Sequence, residues 1–188
     1  DPYRTVVDIA RTSAFRYALG YVDGLAREYG VEREELRAYA QANCRGLHGI
    51  ARAFDVFEHM DGRSDNGGES EARAAMILAG VAAPELQVEI TRPGNAGYYL
   101  ADYGWQMPNG SWMLAELHGL GKFEDDAQNN PERTAAKTYR AALVRDANLR
   151  AMGHNVIHFK LSNTYDVKAF GSMMRGYGIP TTKPYADS

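Results

Sequence analysis

A single cysteine, Cys44, occurs in the 188 residues. That excludes an internal disulfide framework and agrees with a reducing compartment. No apolar run approaches the roughly 20 residues of a membrane span, and the N-terminus lacks the charged-then-apolar layout of a secretory signal. A cytoplasmic location without membrane attachment is the expectation. A basic excess is also missing: 21 Lys and Arg against 24 Asp and Glu leave a formal charge of -3 and a pI near 6.0. This argues against a generic nucleic-acid coat, which would be basic. Internal repeats and low-complexity segments are absent. An initiating Met is lacking as well; the chain opens at Asp1-Pro2 inside what reads as a helix start, which suggests a piece of a longer protein.

What is present is the profile of a globular protein, 45% apolar and 24% charged. Its charge is uneven. Residues 131–188 hold nine Lys and Arg against four Asp and Glu, so the acidic excess lies before them.

Residues 2–60 are helical in pattern, through TVVDIAR, then SAFRYALGYVDGLAREYG with Ser13 as cap and Gly30 as stop, then the stretch from Val31 to Met60. The run DGRSDNGG, 61–68, reads as a linker. Beyond it ESEARAAMILAG predicts a helix closed by Gly80, LQVEITR a strand, and YYLADYGWQM with SWMLAELHG a hairpin about Pro108-Asn109-Gly110. A long helix from Asn130-Pro131 to Gly153, a strand HNVIHFKL and a helix VKAFGSMMRG complete an α-β-β-β-α-β-α order.

The hairpin plants Asp102 and Glu116 among apolar side chains. Strict alternation puts Tyr98, Leu100, Asp102 and Gly104 on one face, and Tyr99, Ala101, Tyr103 and Trp105 on the other. If the loop is Pro108 to Gly110, Met107 pairs with Ser111 and Asp102 falls opposite Glu116; a two-residue loop would instead turn Glu116 to the opposite face. Two adjacent carboxylates on a half-buried sheet are unfavourable through repulsion and desolvation. A divalent cation offsets both, so the pair reads as a hard-metal site for Mg²⁺ or Mn²⁺, with substrate phosphate completing the shell.

The helix with GESEAR, the strand after PELQ, the strand with an embedded Asp, the strand ending in ExxG, and the helix with RDANLRAMGH followed by a strand together resemble the PD-(D/E)XK nuclease superfamily. They are most similar to the very-short-patch-repair-like endonuclease domains of actinobacterial abortive-infection antitoxin-type proteins. The resemblance spans about residues 68–162, with Arg145, Asp146, Leu149 and Gly153 as its most distinctive segment. RTVVDIAR, 4–11, resembles the segment that follows a winged-helix DNA-binding domain in those proteins. The resemblance implies a restriction-endonuclease-like α/β fold over 69–188, with Asp102 and Glu116 as metal ligands and Glu69 as an auxiliary ligand. Where the superfamily carries a lysine two residues after the acidic residue, this chain has His118. Lys122 stands where relatives carry Lys or His.

His118 shares the Glu116 face by parity and could take a proton from water or act as a ligand, or simply be a satisfied histidine at the sheet end. Lys122 could neutralise a phosphate, or balance Glu124, Asp125 and Asp126. Arg133, Lys137 and Arg140 form a basic stripe opposite Ala135, Tyr139 and Ala142, suited to a phosphate backbone or to a solvated helix face. Cys44 and His48 lie four apart and are read as helix packing; His59, His154 and His158 show no structural-zinc spacing. Two functions compete: metal-dependent DNA endonuclease, and a catalytically inactive nuclease-like module that binds or regulates beside a DNA-binding domain, with DNA and a protein partner as the expected contacts. A purely structural interaction domain is the third reading.

Overall fold

The computed structural model describes residues 1–118 and 131–185, the side chains of Asn95 and residues 131–138 excepted. Residues 1–60 form helices and turns and contribute no strand, as their patterning predicts. Helix α1 (Pro2–Thr12) starts where expected, with the Asp1 carboxylate accepting from the Tyr3 N–H at 3.1 Å. Ser13 caps the end of α1 rather than the start of α2 (Phe15–Tyr29), which begins at Ala14 without a side-chain cap and stops at Gly30 with φ 64°. Helix α3 (Arg33–Asn43) carries a capping box made by Glu32 and Glu35. The chain then turns, with Gly46 and Gly49 at φ 79° and 76°, before α4 (Ile50–Glu58). Cys44 and His48 therefore share no helical face: Cys44 is buried at the end of α3, and His48 is exposed in the turn.

Packing divides the chain into two compact units, one formed by residues 1–83 with the segment from 163 onward, the other by 84–162. The first unit includes α5 (Gly67–Leu78) and α7 (Val167–Gly176). Its core gathers Val7, Phe15, Leu19, Leu36, Phe57 and Ile77, so α5 belongs with the N-terminal helices. A buried ion pair fastens it there. Asp23 on α2 is fully buried and accepts from Arg73 Nη2 on α5 at 2.8 and 2.7 Å, while Arg73 Nη1 donates to the His59 carbonyl at 2.7 Å. Residues 61–68, whose composition predicts a linker, are packed in: the Asp61 N–H donates to Asp23 at 2.8 Å, and a methyl group added at Gly62 would come within 3.0 Å of Ala26.

The second unit is a four-stranded sheet in the order β1 (Glu85–Thr91), β2 (Tyr98–Gln106), β3 (Trp112–His118), β4 (Asn155–Lys160). The first three strands are antiparallel, and β4 lies parallel to β3. A parallel neighbour requires a crossover, which is α6 (Pro131–Ala151). Its Leu149 packs on one sheet face with Val88, Ile90, Ala101, Leu114 and Val156. The element order is the one that the patterning predicts. Gly104 lies tight against this face: a Cβ there would sit 2.8 Å from Val88 and 3.0 Å from Trp112.

Burial pushes the Asp23 carboxyl up in pKa against the opposing pull of Arg73. Removing one partner of such a pair leaves an uncompensated charge, and Asp23→Ala is expected to cost about 3–5 kcal/mol in urea denaturation. The joint change Asp23→Leu with Arg73→Met should recover most of that; a loss below about 1 kcal/mol in the single variant would mean that the pair does not fasten α5.

Candidate functional site

The hairpin turn sets the site. Met107 N–H donates to the Ser111 carbonyl at 2.8 Å and Gly110 takes φ 81°, so the loop is Pro108 to Gly110. The ladder runs from Gln106 with Trp112 to Tyr103 with Ala115, and just beyond that last pair the Asp102 charge acts on Glu116. The Asp102 carboxylate accepts from the Leu117 N–H at 2.8 Å, directly beside Glu116. Asp102 is 8% exposed.

Alternation along β2 does not persist through this point. Ala101 and Tyr99 pack in the cluster of Leu114, the face that strict alternation denies them, whereas Tyr98 and Leu100 are exposed. The physical cause is local. Gln87, which would oppose Asp102 in the β1 ladder, has φ 54°, and the ladder skips that pair. Such an irregularity re-aims one side chain and reverses the parity of what precedes it.

Strand β4 adds a second row to the face of Glu116. The parallel register pairs Glu116 with His158 and His118 with Lys160, at the carboxyl ends of both strands. The rings of His118 and His158 stack with centroids 4.7 Å apart and planes 9° from parallel. Helix α6 covers the row from above. Arg145 Nη2 donates to Glu116 Oε2, His158 Nε2 meets Asp146 Oδ2 at 2.8 Å, and Arg150 stands 3.8 Å from the same Asp146 oxygen. Four buried polar atoms here have no hydrogen-bond partner among the described residues: Glu116 Oε1, Arg145 Nε, Asp146 Oδ1 and His158 Nδ1.

Burial raises the Glu116 pKa above its usual 4.5; the Arg145 hydrogen bond and charge oppose the shift, and Asp102 adds to it. Burial also lowers His118 below 6.5, reinforced by His158 and Arg145 and opposed by Asp146.

The other candidates are elsewhere. Glu69 belongs to the first compact unit and lies in the first turn of α5, where its N–H donates to the capping Asn66 and its carboxylate accepts from the Asp65 N–H and from Asn66 Nδ2 at 2.8 Å each. Lys122 lies outside the described residues, as do the side chains of Arg133 and Lys137. Arg140 is exposed. Tyr139, expected on the apolar side of the stripe, is 67% exposed, so α6 meets the sheet through its later turns, at Asp146 and Leu149. Among the described residues no group of three or more His, Cys, Asp or Glu side chains is arranged to hold a metal ion, and no helix is long and apolar enough to cross a membrane.

The donor set nonetheless suits a hard divalent cation. Two adjacent carboxylates supply oxygen ligands, one of the oxygens is buried without a partner, and Mg²⁺ sites often use only one or two carboxylates with water and substrate phosphate. Arg145, Asp146 and His158 are the additions that spacing did not point to. His158 was accessible in principle, from the parity of β4 once its parallel register with β3 is known; Arg145 depends on the rotation of α6 over the sheet.

No family model matches the chain, and no solved structure does. The chain is similar to uncharacterized proteins of two strains of Mycobacterium tuberculosis, each 36% identical over 104 residues. That alignment covers 55% of this chain and 38% of each relative.

The Glu116 shift gives a signed expectation. A carboxyl whose folded pKa is raised contributes stability that is present below about 4.5 and lost as pH rises through the folded value. Glu116→Gln should therefore gain on the wild type as pH rises through that window, read from urea midpoints in a pH series. The opposite slope would show that Arg145 outweighs burial.

Proposed function

We propose that this chain is a restriction-endonuclease-like domain that hydrolyses DNA phosphodiesters with a divalent metal ion. The observation that supports the reading is the proximity of the Asp102 and Glu116 carboxylates, the first held by the Leu117 N–H and its charge acting on the second. The order α5-β1-β2-β3-α6-β4 is also the one expected from the resemblance to PD-(D/E)XK nucleases.

Asp102 and Glu116 would hold Mg²⁺ or Mn²⁺, without Glu69, whose carboxylate is engaged by Asp65 and Asn66 in the first unit. The ion, when bound, supplies Lewis-acid activation of water and charge neutralisation at the phosphate. His118 is suited to accept the proton of the attacking water: its lowered pKa keeps the ring neutral near pH 7, the form with a free lone pair. Lys122 would offset phosphate charge, and Arg133, Lys137 and Arg140 would track the DNA backbone without reading sequence.

A second reading is favoured by one specific contact. Arg145 already hydrogen-bonds Glu116 and offsets part of the charge that a cation would offset. Together with His118 in place of a lysine, this suits an inactive nuclease-like module that binds DNA or a protein partner in an antitoxin-type regulator.

Cleavage separates the two. With Mn²⁺ or Mg²⁺ the wild type should cut single- or double-stranded DNA, and Asp102→Ala should lower the rate by at least about 100-fold. His118→Lys should raise activity. If the wild type, Asp102→Ala and His118→Lys all leave DNA uncut across a range of metals, the hydrolase reading fails and the module takes its place.

A further inference from the structure

We propose that Arg145 is the residue of this site that grips a nucleic-acid phosphate, and that Glu116 is the partner it holds at rest. The inference deepens the preceding reading and rests on it for the substrate class.

Asp102, Glu116 and Asp146 crowd three carboxylates around one end of the sheet, and a phosphodiester brings a further negative charge. Such a ligand is repelled unless a cation meets it. Arg145 is placed to be that cation. It projects from α6 onto the Glu116 row, and its side chain keeps 26% of its surface exposed, against 14% for Glu116 and 8% for Asp146.

Its hydrogen bonding is half complete. Nη2 donates to Glu116, while Nε is buried and has no partner among the described residues. Nε and the nearer Nη form the side-on fork with which arginine binds two oxygens of one phosphate. A phosphate that accepts from both would satisfy the orphaned donor and release Glu116. The neighbouring cations are less suited: Arg150 is 56% exposed and turned to Asp146, and Lys160 is exposed at the strand end.

Geometry also explains why the resting pair is not simply structural. Glu116 Oε1 and Asp146 Oδ1 stay unpartnered beside it, and the Asp146 side chain is 92% buried. A closed structural network satisfies its buried members. This one leaves four buried members unsatisfied among the described residues, around a guanidinium whose side chain still keeps 26% of its surface exposed.

The test is DNA binding by the full chain, measured by fluorescence anisotropy with a labelled duplex in Ca²⁺, at several salt concentrations. Arg145→Gln should weaken binding about tenfold or more and lower the slope of log K against log salt by about one ion. Arg145→Lys keeps the charge without the fork, so it should retain the slope and still lose affinity. It also serves if Arg145→Gln proves too unstable to assay. Arg150→Gln should change affinity less than Arg145→Gln does. Unchanged affinity and salt slope in the folded Arg145 variants would overturn the proposal, even if the wild type cleaves DNA. Loss of binding in a chain that never cleaves would keep Arg145 as the phosphate contact and remove the hydrolase reading alone.

Discussion

Two carboxylates whose charges act on one another near the end of the β2–β3 ladder are the constraint on which the second unit turns. Asp102 and Glu116 repel one another and lose hydration, and each must find compensation close by. The protein supplies it from three directions: the Leu117 N–H for Asp102, the Arg145 guanidinium for Glu116, and the Asp146–His158 pair beside them. Helix α6 is thus more than a crossover between parallel strands. It carries the basic and acidic groups that make the charged end of the face tolerable, while Leu149 closes the apolar part against Leu114 and Val156.

The elements and the pairing that creates this constraint were legible in the sequence, because both rest on local rules. Pro108-Asn109-Gly110 sets a three-residue loop, the loop sets the register as far as Tyr103 with Ala115, and Asp102 follows immediately, its charge acting on Glu116. Likewise Asp1 marks a helix start through its carboxylate, and Gly30 and Gly80 mark helix ends through their positive φ. What was not legible depends on contacts distant in sequence. The parity break at Asp102 comes from Gln87 on another strand. The assignment of α5 to the helical unit comes from a buried Asp23–Arg73 pair fifty positions apart, which composition cannot reveal. Residues 61–68 look like a linker because Gly, Asp and Asn also suit a tight turn pressed against α2. Glu69 looks like a ligand and instead reaches back to Asp65 and the capping Asn66, since a glutamate three residues after an N-cap suits either role.

The candidate site was half readable for the same reason. Carboxylates on a hairpin can be placed by counting, but a guanidinium on a helix can be placed only when the rotation of that helix over the sheet is known. His158 shows the intermediate case: invisible to ligand spacing, it becomes a neighbour of Glu116 through a parallel register that only the crossover creates.

In the proposed reading Asp102 and Glu116 act together on one cation. Crystals soaked in Mn²⁺ and measured above the manganese absorption edge test it directly. An ion shared by the two carboxylates should give an anomalous peak at coordinating distance, about 2.1 Å, from both, lost in Asp102→Ala. Manganese bound elsewhere in the same crystals, with no peak between these two side chains and Arg145 still on Glu116, would contradict it.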